Sequence, residues 1–229
     1  MAVWVHGQGI QLSIADPESG NMKHSDGGYH QSYNVQCAID GKNGLVVGVN
    51  MTNEASDAHQ LKPMVEQVKR RFGREARNRV NDSGYNNGVN LMEMEGRDTE
   101  WWCPSMRQVG KEREKGGDVG RSFDKSEFRY NEEGDYYECP GDRRLIRSCA
   151  QTKRGCRAIM YKSETCEGCE HKSACAPKSK TGRRLLRGSD EELIEKMDEK
   201  MSHKDGKLMM KKRRCKSEWV FAQIKSVMG

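Results

Sequence analysis

Tyr33-Asn34-Val35-Gln36-Cys37-Ala38-Ile39-Asp40, the turn Gly41-Lys42-Asn43-Gly44, and then Leu45-Val46-Val47-Gly48-Val49 set the architecture. In the first run Tyr33, Val35, Cys37 and Ile39 alternate with Asn34, Gln36, Ala38 and Asp40, which is the period of a strand. A continuous apolar run follows the glycine-flanked turn, so the pair predicts a β-hairpin whose second strand is buried on both faces. Upstream, residues 1–32 are polar and glycine-rich, and the alternation of Ile10, Leu12 and Ile14 predicts one short strand. Downstream, Leu61, Met64, Val65, Val68 and Phe72 recur at helical spacing, with Pro63 near the start and Gly73 after the end. Arg79-Val80-Asn81-Asp82-Ser83-Gly84-Tyr85 reads as a strand breaking into a turn. A brief helix through Leu91 and Met92 to Glu95 comes next, and Trp101-Trp102-Cys103 before Pro104 reads as one more strand. The order β-β-α-β-α-β predicts a mixed α/β sheet.

Composition bounds the rest of the chain. Only 34% of the 229 residues are hydrophobic and the mean hydropathy is −0.96. That is thin for one large core, so part of the chain is expected to be loop or to need something else to fold. No apolar run approaches the roughly 20 residues of a membrane span, and Met1 to Ile10 lacks the pattern of a signal peptide. The expectation is a cytoplasmic protein with no membrane partner. The net charge of +6 is uneven: residues 177–229 hold 15 Lys and Arg against 8 Asp and Glu. A basic segment beside a near-neutral body is the footprint of a polyanion partner.

The chain is expected to divide at residues 104, 129 and 176. Residues 1–104 carry the α/β core, 105–129 form a charged linker, 130–176 hold a cysteine cluster, and 177–229 form a basic connector and helices. Six of the nine cysteines lie between Cys139 and Cys175. With no secretory signal, such clustering argues for metal rather than disulfides. Cys166-x2-Cys169-x5-Cys175 is knuckle-like, and Cys139-Pro140-Gly141 supplies a fourth thiolate, giving the tetrahedral set of a structural Zn²⁺. His171 is an alternative ligand, and Cys149 and Cys156 are spares. Residues 130–176 have too few apolar side chains for a core of their own, which favours a metal staple. In the last segment, Ser189 with Glu192 forms a capping-box pattern before Leu193, Ile194, Met197 and Met201, and a second helix is predicted from about Lys207 to Val227. Lys211, Arg214, Glu218 and Lys225 share one face of it, a carboxylate among cations.

Asp16-Pro17-Glu18, Gly27-Gly28-Tyr29, Gln31 to Asp40, Thr52-Asn53-Glu54-Ala55-Ser56-Asp57, Asn81-Asp82-Ser83-Gly84-Tyr85 and Ser217-Glu218-Trp219-Val220-Phe221-Ala222-Gln223-Ile224-Lys225 together resemble bacterial insertion-sequence transposases of the DDE class. The likeness runs from about Asp16 to Gly229, and its specificity lies in several motifs in the right order. It implies an RNase H-like mixed sheet with an inserted cysteine-rich zinc-binding module and C-terminal helices. It makes Asp82 the second catalytic acid and Glu218 the last, both holding Mg²⁺ or Mn²⁺. Such ions suit hard carboxylate oxygens and in-line phosphodiester displacement. Arg214, Lys225 and Lys211 are then the cations that hold phosphates. The implied partner is double-stranded DNA, as terminal inverted repeats and target, with a dimer in a synaptic complex.

Two departures shape the expectation. No Asp-Gly-Thr-like strand, where relatives carry the first catalytic Asp, stands before Asp16, and Asp40 is a poor substitute because its strand end points away from the site. The sheet is therefore expected to be incomplete, its first strand missing, and the chain truncated at both ends and inactive alone. The strand before Asp82 also carries Arg77, Asn78 and Arg79 where aliphatics belong, and Asn81 where a small apolar residue does. The alternative function is a non-enzymatic zinc-containing DNA- or RNA-binding protein. A redox or metal-storage protein accounts for neither Asp82 nor Glu218.

Overall fold

From Asn34 to Trp102 hydrophobic period and turn chemistry place the elements where the sequence implies, but four short strands stand in residues 2–32 where one, at Ile10 to Ile14, was expected, and packing joins the elements in unexpected ways. The computed structural model describes residues 2–5, 8–11, 13–24, 26–109, 123–153, 156–177 and 179–228. The chain falls into two compact units: residues 1–105 with 196–229, here the split unit, and residues 106–195, the inserted unit.

Among its described residues the split unit contains four strand pairs. β1 (Ala2–Val5) is antiparallel to β2 (Gln8–Gln11), β3 (Gly20–Lys23) to β4 (Tyr29–Ser32), and β5 (Asn34–Ile39) to β6 (Val46–Thr52). β7 (Asn78–Val80) runs parallel to β8 (Glu100–Trp102). Helix α1 (Leu61–Phe72) ends at Gly73 and buries Leu61, Met64 and Val65, and α2 (Gly88–Met94) buries Leu91 and Met94. The expected order β-β-α-β-α-β is therefore present. The expected single mixed sheet is not: β5–β6 and β7–β8 are separate pieces, because no strand among the described residues pairs with both β5 and β7.

The hairpin itself corrects a second expectation. Its later strand is not buried on both faces: Leu45 is 63% exposed, Val46 43%, Val49 46% and Met51 60%. Only α1 covers it, on the side of Gly48, where a Cβ would stand 2.8 Å from Gln67 and 3.2 Å from Met64. A glycine there lets the helix come close. Gln67 also accepts from the Val49 N–H and donates to its carbonyl, both at 2.9 Å, and Arg71 donates to the Val47 carbonyl. Side chains of α1 thus occupy backbone groups that an edge strand otherwise leaves open.

The polar residues before Asp82 have structural partners. Arg79 is held by Glu75 at 2.6 Å, and Arg97 bridges Glu66, Glu75 and Glu93. This charged lattice ties α1, α2 and β7 where aliphatics were expected. Hydrogen bonding to Arg79, with help from Lys69 and Arg97, holds the Glu75 carboxyl below its usual range. Asn81 takes the indole N–H of Trp101 at 2.8 Å, giving a 4%-exposed tryptophan the acceptor it needs.

The inserted unit is one five-stranded antiparallel sheet in the order β13-β12-β11-β10-β9. The strands are β9 (Arg129–Asn131), β10 (Tyr136–Glu138), β11 (Arg144–Lys153), β12 (Cys156–Ser163) and β13 (Arg184–Gly188), with the short helix α3 (Lys172–Cys175). Phe128, Tyr137, Leu145, Tyr161 and Leu185 form a buried cluster. The expectation that residues 130–176 lack a core is thus corrected: flanking Phe128 and Leu185 complete it, and large aromatic rings compensate for few residues. Tyr161 donates to Asp135, and Arg187 stacks over Tyr130 at 3.9 Å while donating to the Tyr137 hydroxyl. Residues 110–122 of the expected charged linker lie outside the described residues.

Two helices end the chain, α4 (Glu191–Ser202) and α5 (Lys204–Met228). Within the split unit, α5 packs beside β7 and β8. No helix among the described residues is long and apolar enough to cross a membrane.

Candidate active site

Asp82 follows β7 and caps the turn Ser83–Tyr85, its Oδ1 accepting the Gly84 N–H at 3.2 Å. Its other oxygen takes Arg213 Nη2 at 3.1 Å, a contact across 131 residues. The side chain stays 46% exposed, so the carboxylate is anchored and still reachable. Beneath it, the thiol of fully buried Cys103 donates to the Asp82 carbonyl at 3.0 Å. Burial, reinforced by nearby Asp82, pushes the Cys103 thiol well up, so it remains a neutral donor.

A second carboxylate stands against the same turn. Asp57 Oδ1 accepts from Asn34 and Gln36 of β5, both at 2.8 Å. A Cβ on Gly84 would stand 2.7 Å from Asp57 Oδ2 and 3.3 Å from Asp82 Oδ1. Only glycine allows the two acids to flank this backbone so closely. Burial of Tyr85, then the fields of Asp57 and Asp82, raise its hydroxyl well above the usual range.

The helix carrying Glu218 reaches this turn through a neighbour of the expected residues. Arg213, Ser217 and Val220 lie on the covered side of α5, whereas Lys211, Arg214 and Glu218 are exposed. The side chain of Lys225 lies outside the described residues. The sequence reading therefore missed Arg213, Cys103 and Asp57 at the site. Asp57 belonged to a quoted motif, and the signal for Arg213 was only the i, i+4, i+7 recurrence of Arg213, Ser217 and Val220.

In the inserted unit, Cys139, Cys166, Cys169 and Cys175 line one small cavity of about 20 Å³, with His171 and Arg183. Gly141 opens its side, where a Cβ would meet Cys169 Sγ at 3.4 Å and Cys139 Sγ at 3.8 Å. Burial pushes the Cys175 thiol up, and the other three cysteines add to it against the opposing field of Arg183. All four are free thiols. Donor chemistry and convergence fit a soft ion. No group of three or more His, Cys, Asp or Glu among the described residues is arranged to hold a metal, however. Among the described residues the expected zinc site is therefore not present as a closed ligand set.

No curated protein and no solved structure matches the chain. The family model of the transposase DDE domain matches residues 5–229, and the motifs built around Asp82 and α5 fall inside that match. The chain therefore belongs to the DDE transposases, the proteins of DNA transposition, whose partner is DNA.

Proposed function

We propose that the chain acts on element-end DNA through metal-dependent phosphodiester chemistry, with Asp82 and Glu218 as the carboxylates that hold Mg²⁺ or Mn²⁺. The observation that carries this reading is the Arg213–Asp82 pair, which ties the Glu218 helix to the strand end bearing Asp82. A divalent ion there would activate the attacking oxygen and stabilise the leaving one. The chain's own residues do the rest. The Gly84 N–H and the Cys103 thiol fix the Asp82 turn, and Asp57 braces that turn against β5. Lys211, Arg214 and Lys225 hold phosphates, and Arg213 neutralises Asp82 until a cation replaces it.

Two of the family's three carboxylates have matches in this sequence, so the reading includes the expectation that the chain does not cut DNA unaided. The test is purified protein with labelled element-end duplex and Mg²⁺ or Mn²⁺. Duplex binding without nicking is expected, with bound Mn²⁺ lost on Asp82→Asn. Metal-dependent nicking that disappears on Asp82→Ala would overturn the inactive reading, and Mn²⁺ binding untouched by Asp82→Asn would overturn the assignment of Asp82.

The reading also includes an RNase H-like lineage for the β5 to β8 elements and a structural Zn²⁺ held by Cys139, Cys166, Cys169 and Cys175, with His171 as the alternative ligand. The shared cavity supports the zinc assignment. Elemental analysis should find one zinc per chain, lost on Cys166→Ser with Cys169→Ser. A metal-free preparation with an unchanged melting curve would remove the zinc from the proposal.

A further inference from the structure

The inserted unit has a cleft of about 700 Å³ with no role in the chemistry at Asp82. Its lining comes from β11, the end of β12, the loop carrying Cys166, α3 and the turn at Lys180. Arg147, Lys162, Lys172 and Lys180 line it, together with the hydroxyl-bearing Ser163 and Thr181. Two acids, Glu164 and Glu167, also line it, so cations outnumber carboxylates by two to one.

What sets the three lysines apart is that they form no ion pair among the described residues. Elsewhere in the unit Arg187 pairs with Glu195, Arg129 with Glu138, and Lys125 and Arg107 with the buried Glu191. Arg147 has Asp135 at 3.2 Å. Lys162, Lys172 and Lys180 take part in none of the ion pairs between described side chains. Three ammonium groups without an ion pair, which with Arg147 outnumber the two carboxylates in the same concavity, repel each other and raise the local positive potential, which an anion relieves. Lysines with hydroxyls, lacking the planar forks that read bases, are the chemistry of backbone phosphate contact.

We infer that this cleft is a second DNA-contact surface, holding the sugar-phosphate backbone of duplex DNA through Lys162, Lys172 and Lys180. The choice of duplex rests on the DNA-processing reading above. Ser163, Cys166 and Lys172 line both the cleft and the cysteine cavity, so the cysteine knuckle forms one of its walls.

The test is a salt titration of the full chain against labelled duplex, followed by fluorescence anisotropy. Replacing Lys162, Lys172 and Lys180 by Gln keeps their stems and removes three charges. Affinity should fall about tenfold or more, and the slope of log affinity against log salt should shrink by about 2 to 3. Glu164→Gln with Glu167→Gln should tighten binding several-fold, a gain that misfolding does not produce. Wild-type binding with both variants within twofold and slopes unchanged would overturn this cleft while leaving the DNA-processing reading intact. A wild-type chain that binds no duplex even at low salt would sink both. Tighter binding of single-stranded RNA than of duplex would also overturn it.

Discussion

The split unit and the inserted unit use opposite means of holding strands together. In the inserted unit five antiparallel strands share one sheet, and three of its core side chains are nearly sealed: Leu145 is 0% exposed, Tyr137 1% and Tyr161 1%. In the split unit the strands pair two by two, and the hairpin's apolar residues face outward. Its integrity depends on helices and on a charged lattice around Arg97 and Glu75. The lesson is that apolar sequence does not ensure a core. Val46, Val49 and Met51 are as hydrophobic as anything in the inserted unit, yet no layer covers their face among the described residues.

The largest test of this contrast is Leu145→Ala. Loss of a fully buried leucine should cost about 3 kcal/mol. All four tryptophans, Trp4, Trp101, Trp102 and Trp219, lie in the split unit. Tryptophan fluorescence therefore reports that unit, and hydrogen exchange across residues 128–188 should register the loss in the other. Equal loss of protection in both units would show that they do not behave as separate units.

Arg97→Ala comes next. Three carboxylates, on Glu66, Glu75 and Glu93, would lose a guanidinium that is itself only 17% exposed. About 1 to 2 kcal/mol should disappear from the fluorescence-detected denaturation. An unchanged curve would mean the lattice is decorative.

Acid probes the same lattice more gently. Glu75 ionises below its ordinary 4.5 because Arg79 binds the charged form. Its contribution is complete above that value and is lost as pH falls through the lower folded value. As pH falls from 6 to below 4.5, the fluorescence-detected midpoint should fall further in the native chain than in Glu75→Gln, and an equal fall in both would remove Glu75 from the lattice's stabilising groups. The smallest effect belongs to the hairpin: Val35→Thr and Val49→Thr should each change stability by less than about 0.5 kcal/mol, since both sides are already near half exposed. A cost near that of Leu145→Ala would show that the face is covered in solution.

The same contrast explains what was legible. The helix over Leu61–Phe72, the hairpin turn, the strand ending at Asp82 and the long final helix all follow from local period and turn residues. The convergence of four cysteines followed from their spacing. The inserted core was missed because its apolar residues are few and scattered from Phe128 to Leu185, and only strand pairing gathers them. At the candidate site, Arg214 was expected to hold phosphates near Asp82, and the contact between the helix and Asp82 comes from its neighbour Arg213. One residue on a helix is about 100° of rotation, and packing fixes that angle.

The sequence by itself determined the element order from Asn34 to Trp102, the cysteine group and the DDE resemblance, because each rests on neighbours in the chain or on matching motifs. Tertiary structure alone decided that Asp57 and Asp82 flank Gly84, that Arg213 holds Asp82, and that three lysines share a cleft. Those are contacts between distant segments, set by packing rather than by any local preference.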